Sequence, residues 1–503
     1  MNNIAGIVCY SALASSLLLT GCGGDDTNAS TQLSEDVLAV VTALGLTGDP
    51  STGVTTPSID DPIAQLGMKL FFTKGLGGQQ DSACVTCHHP NLGGGDDFSL
   101  PVGVDADIPD LLGPGRLHSV SGENFDGGPS VPRNSPTTFN VAFWDKTFFH
   151  DGRIESLDGN FGENGGGPSG IRTPDSALGV ADPLAGSSLP AAQARFPVTS
   201  HEEMQSFETL VVGFDGTQMR NELVERFRGS GAEVIMLPTN DWLAEFQDGF
   251  ESPAGTAVDL ITYENIAFAI GEYERSQVFV DSPWRAFVQG DSSAISDSAK
   301  RGALTFFNST TDGGANCASC HSGDFFTDES FHVIAMPQVG RGKGNGPDGN
   351  DDFGRFIETG VAADTYAFRT PGLTNVSATG PWSHAGAYHT LEGVIRHHLD
   401  PVTASANFDS SQLEPNVQAS DTVELNLLSA AVLADNRAGG VIDTIENVVL
   451  TDDEVDDLVA FVLSLTDPCV EDRSCLSPWI PDASDGNPDG LRINGFDSGG
   501  DLL

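Results

Sequence analysis

Two short stretches constrain this chain more than anything else in it: "CVTCHHP" at 84–90 and "CASCHSG" at 317–323. Each sets two cysteines two residues apart with a histidine directly after them, Cys84, Cys87 and His88 in the first and Cys317, Cys320 and His321 in the second. A CxxC pair alone serves a redox dithiol or half of a zinc site, but CxxCH is the attachment pattern of c-type haem. Two thiols at that spacing reach the two vinyl groups of one porphyrin as thioethers, and the next imidazole then lies under the iron as its proximal ligand. With 8 cysteines and 11 histidines in 503 residues, composition supplies only about 0.003 such motifs by chance. A single zinc site built from both pairs would have to join distant parts of the chain, whereas zinc ribbons keep their pairs close in sequence. Two covalently bound haem c groups are expected, one at each motif.

The opening residues, "MNNIAGIVCYSALASSLLLTGC", hold an apolar run that ends in "LTGC" and resembles the lipobox of a lipoprotein signal, with no Lys or Arg at its start. This predicts a signal peptide over 1–21 and a lipid on Cys22; an ordinary signal peptide is the alternative. The run is too short for a stable spanning helix, and no later one approaches ~18 unbroken apolar residues. Export accounts for the remaining cysteines. Cys9 leaves with the signal, Cys22 takes lipid, and Cys469 with Cys475 in "DPCVEDRSC" can close a small disulfide loop in an oxidising compartment. The expected location is the periplasm, where the protein would be lipid-anchored through Cys22, with the outer membrane as the favoured surface.

The balance of 23 basic against 71 acidic residues, a net charge of −48, repels nucleic acid and anionic lipid alike, so neither is expected as a partner. Residues 22–57, rich in Ser, Thr, Asp and Gly, read as a flexible tether with one short helix after Ser34. An N-terminal haem domain is expected over 58–280, closed by "TYENIAFAIGEYERSQVF", where Ile266, Ile270 and Tyr273 make a helical stripe. A C-terminal haem domain follows over 281–467. Its final helix is signalled by Thr451 and Glu454 as a capping box and by Val455, Leu458, Val459 and Val462 at helical spacing. Residues 468–503 form a C-terminal tail with the disulfide. Strand alternation is scarce, so the expected class is mainly α: two cytochrome c-like domains, each with one covalent haem, joined by long loops.

Beyond the haem motifs, an ordered series runs from about residue 60 to 467: "LGMKLFF", "PRNSPTTFN", "FHDGR", "EEM", "AIGEYERSQV", "DSPW", "GRF" and "FRTPGLTNVSATGPWSHAGAYHTLEGVI". In these motifs the chain resembles the bacterial dihaem cytochrome c peroxidases, a family related to the dihaem enzyme that matures methylamine dehydrogenase. The resemblance implies an N-terminal peroxidatic haem, a C-terminal electron-transfer haem, a calcium ion between them and a homodimer. It implies hydrogen peroxide as substrate and a small electron-donor protein, such as a cytochrome c or cupredoxin, as partner. Glu203 of "EEM" falls where the family has its catalytic glutamate, a carboxylate able to move a proton between the two peroxide oxygens. Asn134, Thr379 and Pro381 match the calcium position, where one amide and backbone carbonyls supply hard oxygens.

The chain also departs from the family. The second axial ligand of the C-terminal haem, methionine in the best-known members, falls at His398, with Met336, His397 and His332 as alternatives; a bis-histidine haem has the lower potential. His150 stands where a tryptophan commonly precedes "DGR", and Trp144 and Trp382 are the nearby candidates for an electron path. His118 in "GRLHSV" lies in the loop that in some members carries a distal histidine. Insertions at about 159–190 and 402–440 are longer than peroxide chemistry needs, and are expected either to shape access or a partner surface or to be inert. The leading expectation is a dihaem peroxidase. The alternatives are a dihaem oxidase or oxygenase that uses high-valent iron on a protein or organic substrate, and a non-catalytic electron carrier.

Overall fold

The structure, a computed structural model, describes residues 25–122, 125–207, 215–231, 236–441 and 444–503. The expected signal peptide at 1–21, with Cys9, and the expected lipidation site Cys22 lie outside the described residues. Among the described residues no helix is long and apolar enough to cross a membrane.

Helices dominate. Those of nine residues or more are α1 (Asp25–Leu44), α2 (Pro62–Phe72), α3 (Gly216–Phe227), α4 (Tyr263–Arg275), α5 (Asp297–Phe307), α6 (Leu391–Leu399), α7 (Thr422–Ala438) and α8 (Asp452–Leu463). Among the described residues, strands make two small antiparallel sheets: β1 (Thr147–Phe148), β2 (Ile154–Ser156) and β3 (Ile171–Arg172) in one, β4 (Phe331–Val333) and β5 (Ala367–Arg369) in the other. Local chemistry sets the helix starts. Pro62 opens α2 at a position whose N–H has no helical partner, Thr262 caps α4 through its hydroxyl, and Thr451 with Glu454 forms the expected capping box on α8.

Two apolar cores result, built alike. In the first, Leu66, Leu70 and Phe71 of α2 pack against Ile266, Ile270 and Tyr273 of α4, with Cys84 at the edge. In the second, Ala299, Ala303 and Phe306 of α5 pack against Leu458, Phe461 and Val462 of α8, with Cys317 at the edge. A glycine sits at each crossing. A Cβ on Gly67 would stand 1.9 Å from the Ala269 carbonyl oxygen, and one on Gly302 1.9 Å from that of Asp457. Only hydrogen at these positions lets the two backbones approach so closely.

Residues 25–44 depart from the expected tether. They form one 20-residue helix whose Val37 and Val41 are buried in the second core. Burying two valines stabilises by roughly 1.5–3 kcal/mol each, enough to hold a helix that its polar composition alone would leave loose. Ser30 Oγ adds a bond to Asp297 Oδ1 at 2.7 Å. The C-terminal residues are likewise more than a tail. Cys469 and Cys475 are disulfide-bonded, and the chain then returns to the first domain. There the buried Asp489 accepts from Thr73 Oγ1 at 2.6 Å and Trp242 Nε1 at 3.1 Å, and Ile493 enters the first core.

Both insertions are ordered. Residues 159–190 contribute β3 and a buried Asp182 that takes the Thr173 hydroxyl and the Arg195 guanidinium. Residues 402–440 include α7 and bring Leu413, Phe408 and Val417 against Leu100, Met336 and Tyr388.

Adding one methyl at the closest crossing tests its tightness. Gly302→Ala is expected to cost about 1–3 kcal/mol, as overpacking does. The check is a lower urea midpoint at an unchanged slope.

Candidate functional site

Each CxxCH motif begins as a short helical turn, Cys84–Thr86 and Cys317–Ser319, at the edge of its own core. The two cysteine pairs therefore sit at separate cores, which speaks against one shared zinc site. All four thiols are free. Burial pushes the Cys84 and Cys87 thiols far up and that of Cys317 to about 12.

The motif histidines are fixed in one tautomer. His88 donates from Nδ1 to the Gly94 carbonyl at 3.2 Å, and His321 from Nδ1 to that of Phe326 at 3.0 Å. A carbonyl only accepts, so the proton lies on Nδ1 and each Nε2 keeps its lone pair for a metal. His398, on α6, does the same by donating to Val394 O at 2.8 Å. Its ring centroid stands 6.2 Å from that of His321. Two imidazoles sharing one metal ion, at bonds of ~2.0–2.1 Å with each centroid ~1.1 Å behind its nitrogen, would stand roughly 6.3 Å apart. The residues thus fit an iron between His321 and His398.

The alternatives fit less well. Both nitrogens of His397 are taken: Nε2 donates to Ile334 O at 2.8 Å, and Nδ1 accepts from the Tyr388 hydroxyl at 2.8 Å. His332 bonds Asp328 at 2.8 Å beside Cys320, and these partners push its pKa up to about 10. Cys320, Asp328 and His332 converge at the second motif, a grouping that sequence spacing alone did not suggest. Met336 is buried in an apolar cluster with Leu100 and Tyr388.

Glu203 lies in a π-helical turn, His201–Gln205, that is clamped by backbone bonds from Gly78 N to Met204 O at 2.8 Å and from Val104 N to Glu202 O at 3.2 Å. Such turns frequently mark functional sites. The Glu203 carboxylate acts electrostatically on both Cys84 and Cys87, so it faces the first motif. Burial pushes its pKa above the ordinary glutamate value, and Arg153 and Lys343 only partly offset this.

A buried ionic network joins residues 133–152 to residues 352–355. Arg133 grips Asp352 through Nε at 2.7 Å and Nη2 at 2.8 Å, and Asp151 through Nη1 at 2.5 Å. Arg355 reaches back from the second domain to the Asp151 and Gly152 carbonyls. His150 donates from Nε2 to Asn134 O at 3.1 Å, and burial together with Arg133 lowers its pKa to about 4. Trp144 is covered by the Arg369 guanidinium at 3.5 Å, while Trp382 Nε1 donates to Val376 O. His118 is buried and stacks on Phe125, and no described contact brings it to His88.

The calcium candidates occupy adjoining segments. Asn134 N bonds His384 O at 2.9 Å, and its side-chain NH2 donates to Phe98 O and Ser99 O, which leaves Oδ1 as the only free donor atom for a cation. Gly93 packs against Ala378 and Thr379. Among the described residues no donor reaches the carbonyls of Thr379 or Pro381. These oxygens suit a hard cation.

Against known proteins, residues 61–293 match the family model for di-haem cytochrome c peroxidase, a similarity that supports a haem peroxidase-like oxidoreductase. The methylamine utilization protein MauG of Methylorubrum extorquens is 28% identical over 394 residues, covering 78% of this chain and 83% of that one. The cytochrome c551 peroxidase of Pseudomonas aeruginosa is 26% identical over 341 residues, covering 67% and 71%. The fold is shared with a MauG-like protein associated with microbial copper homeostasis, at TM-score 0.52 and 20% identity over 84% of this chain and 97% of that one. It is also shared with the dihaem peroxidase BthA of Burkholderia thailandensis, at TM-score 0.52 and 20% identity over 87% and 92%. The family implies two haem c groups, and it holds both peroxidases and MauG-like proteins.

The Arg133 network gives a prediction. Burial pushes Asp352 up, but Arg133 outweighs it, and the net shift is down; Asp151 is likewise held low by Arg133 and Arg153. A depressed carboxylate contributes stability that is present above its unfolded value of ~3.9 and is lost as pH falls through the folded one. Arg133→Ala strands two buried carboxylates and is expected to cost about 3–5 kcal/mol at neutral pH. The gap between variant and wild type should narrow below about pH 4, as read by urea titration at each pH.

Proposed function

We propose that this chain is a dihaem peroxidase that reduces hydrogen peroxide at the Cys84–Cys87 site, with electrons from a small redox protein entering through the Cys317–Cys320 site. When bound, the two haems supply the redox chemistry of O–O cleavage and of electron entry. The observation that carries this reading is Glu203, held in a clamped turn over the first motif with a raised pKa. From there it takes a proton from one peroxide oxygen and returns it to the departing one, and its raised pKa brings it closer to working pH. Arg153 and Lys343 face Glu203 and favour its charged form, the form that accepts the proton.

His88 would hold the iron of the first haem, and His321 together with His398 that of the second. Asn134, Thr379 and Pro381 would hold a calcium ion through hard oxygens. The anionic surface suits a basic donor protein. Export to the periplasm and a lipid on Cys22 complete the proposal. Assembly as a homodimer is part of it too.

A second reading rests on the ring spacing of His321 and His398. Two histidine ligands give a lower potential than histidine with methionine, which suits a haem that shares oxidising equivalents rather than collecting electrons. On that reading the chain oxidises a protein or organic substrate, as a MauG-like oxidase.

Two measurements test these readings. Glu203→Gln, with both haems loaded, is expected to lose peroxide turnover by about 10²-fold or more. In the wild type the acid limb of the pH–rate profile should lie above the ordinary carboxylate range of ~4.3, because protonated Glu203 cannot accept a proton. That limb should vanish in the variant; unchanged turnover would refute the assignment. His398→Met is expected to raise the potential of one haem and leave the other unmoved, as followed by spectroelectrochemistry.

A further inference from the structure

Tyr388 and His397 belong to no part of the mechanism above, yet they form the most defined polar pair beside the second site. Both are buried, Tyr388 at 6% exposure and His397 at 0%. Because Ile334 O can only accept, His397 Nε2 carries the imidazole proton and Nδ1 carries a lone pair. The Tyr388 hydroxyl therefore donates to Nδ1, at 2.8 Å. From this pair a line of rings leads to the proposed iron axis. The His397 and His398 centroids are 6.0 Å apart, and those of His398 and His321 are 6.2 Å apart.

We propose that Tyr388 is a redox-active tyrosine, with His397 as its proton acceptor, that holds one oxidising equivalent delivered by peroxide through the second haem. The inference rests on the haem-site reading above. In the step, one electron leaves the Tyr388 phenol for the haem pair, which peroxide has oxidised as it is itself reduced to water. The phenolic O–H bond breaks and an N–H bond forms at His397 Nδ1. The products are a neutral phenoxyl radical and an imidazolium, and an electron from the donor or a substrate reverses both changes.

A buried phenol that keeps its hydroxyl hydrogen loses an electron readily only when the proton can leave with it. That requires a base in hydrogen-bond contact. The Tyr263 and Tyr273 hydroxyls face only the carbonyls of Ala194, at 3.4 Å, and Trp479, at 2.8 Å, which cannot take a proton. Tyr366 has the Asp351 carboxylate at 2.7 Å but no described ring contact to either motif histidine or to His398. Trp144 lies under the Arg369 guanidinium, whose charge opposes a radical cation on the indole. The side chains around Tyr388, among them Leu413, Val417 and Phe408 of the 402–440 insertion, shield it from solvent. This gives that insertion a use that peroxide reduction alone does not demand.

The test treats full-length, haem-loaded protein with one equivalent of hydrogen peroxide and no donor, then freeze-quenches it for electron paramagnetic resonance. The expected result is an organic radical signal that narrows with ring-deuterated tyrosine, is lost in Tyr388→Phe and persists in Tyr366→Phe. The haem absorption spectrum should be the same in both variants, since each loses only a hydroxyl. A signal that ignores deuteration, or that survives Tyr388→Phe, overturns the proposal, as does a haem response to peroxide with no radical. Haem bands that do not respond to peroxide at all overturn the functional reading as well. Should Tyr388→Phe fail to load haem, a narrowing signal kept in Tyr10→Phe, Tyr263→Phe, Tyr273→Phe and Tyr366→Phe assigns the radical to Tyr388, and its loss in any of them refutes the assignment.

Discussion

Three imidazoles, those of His88, His321 and His398, each give the Nδ1 proton to a backbone carbonyl, and the chemistry of this molecule depends on that arrangement. An imidazole free to rotate or to exchange tautomers offers a metal either nitrogen in many directions. One anchored at Nδ1 offers a single lone pair in a single direction. The anchoring carbonyls belong to the turns that follow the CxxCH motifs and, for His398, to the preceding turn of its own helix. The local fold of each motif thus sets the ligand before any cofactor chemistry is considered.

The same economy appears in the two cores. Each crosses a helix that precedes the haem motif with the last long helix of its domain, and each needs a glycine where the backbones meet. The repeat is not carried over to what surrounds the motifs. The first has a carboxylate, Glu203, in a clamped π turn; the second has a histidine, His398, on α6. One architecture used twice therefore supports two unlike sites, one suited to proton transfer at a substrate and one to a coordinatively filled metal. Between them, the buried bonds of Arg133 and Arg355 fix how the two domains meet.

Much of this was legible in the sequence, for identifiable reasons. CxxCH is a local motif whose spacing carries its chemistry, so both motifs and the haem expected at each could be read without a fold. The helices α4 and α8 announced themselves through caps and apolar periodicity, and their buried faces carry the expected residues Ile266, Ile270, Val455 and Leu458. The tether could not be read correctly. Residues 25–44 look polar, and only the second core, assembled from residues some 250 positions later, provides the surface that buries Val37 and Val41. The same reason holds for the C-terminal residues, since the partners of Asp489, Thr73 and Trp242, lie 416 and 247 positions before it.

The sequence by itself determined which atoms can bind: two pairs of thiols, their histidines and a short list of further ligands. Only the tertiary structure sets the members of that list apart. His397 and His398 are adjacent and chemically identical, and no local pattern separates them. Packing does, because α6 turns one ring toward His321 and the other toward Tyr388 and the Ile334 carbonyl, where both of its nitrogens are occupied. Covalent spacing lies along the chain and can be read there, whereas the direction of a lone pair depends on which distant carbonyl takes the proton from the opposite nitrogen.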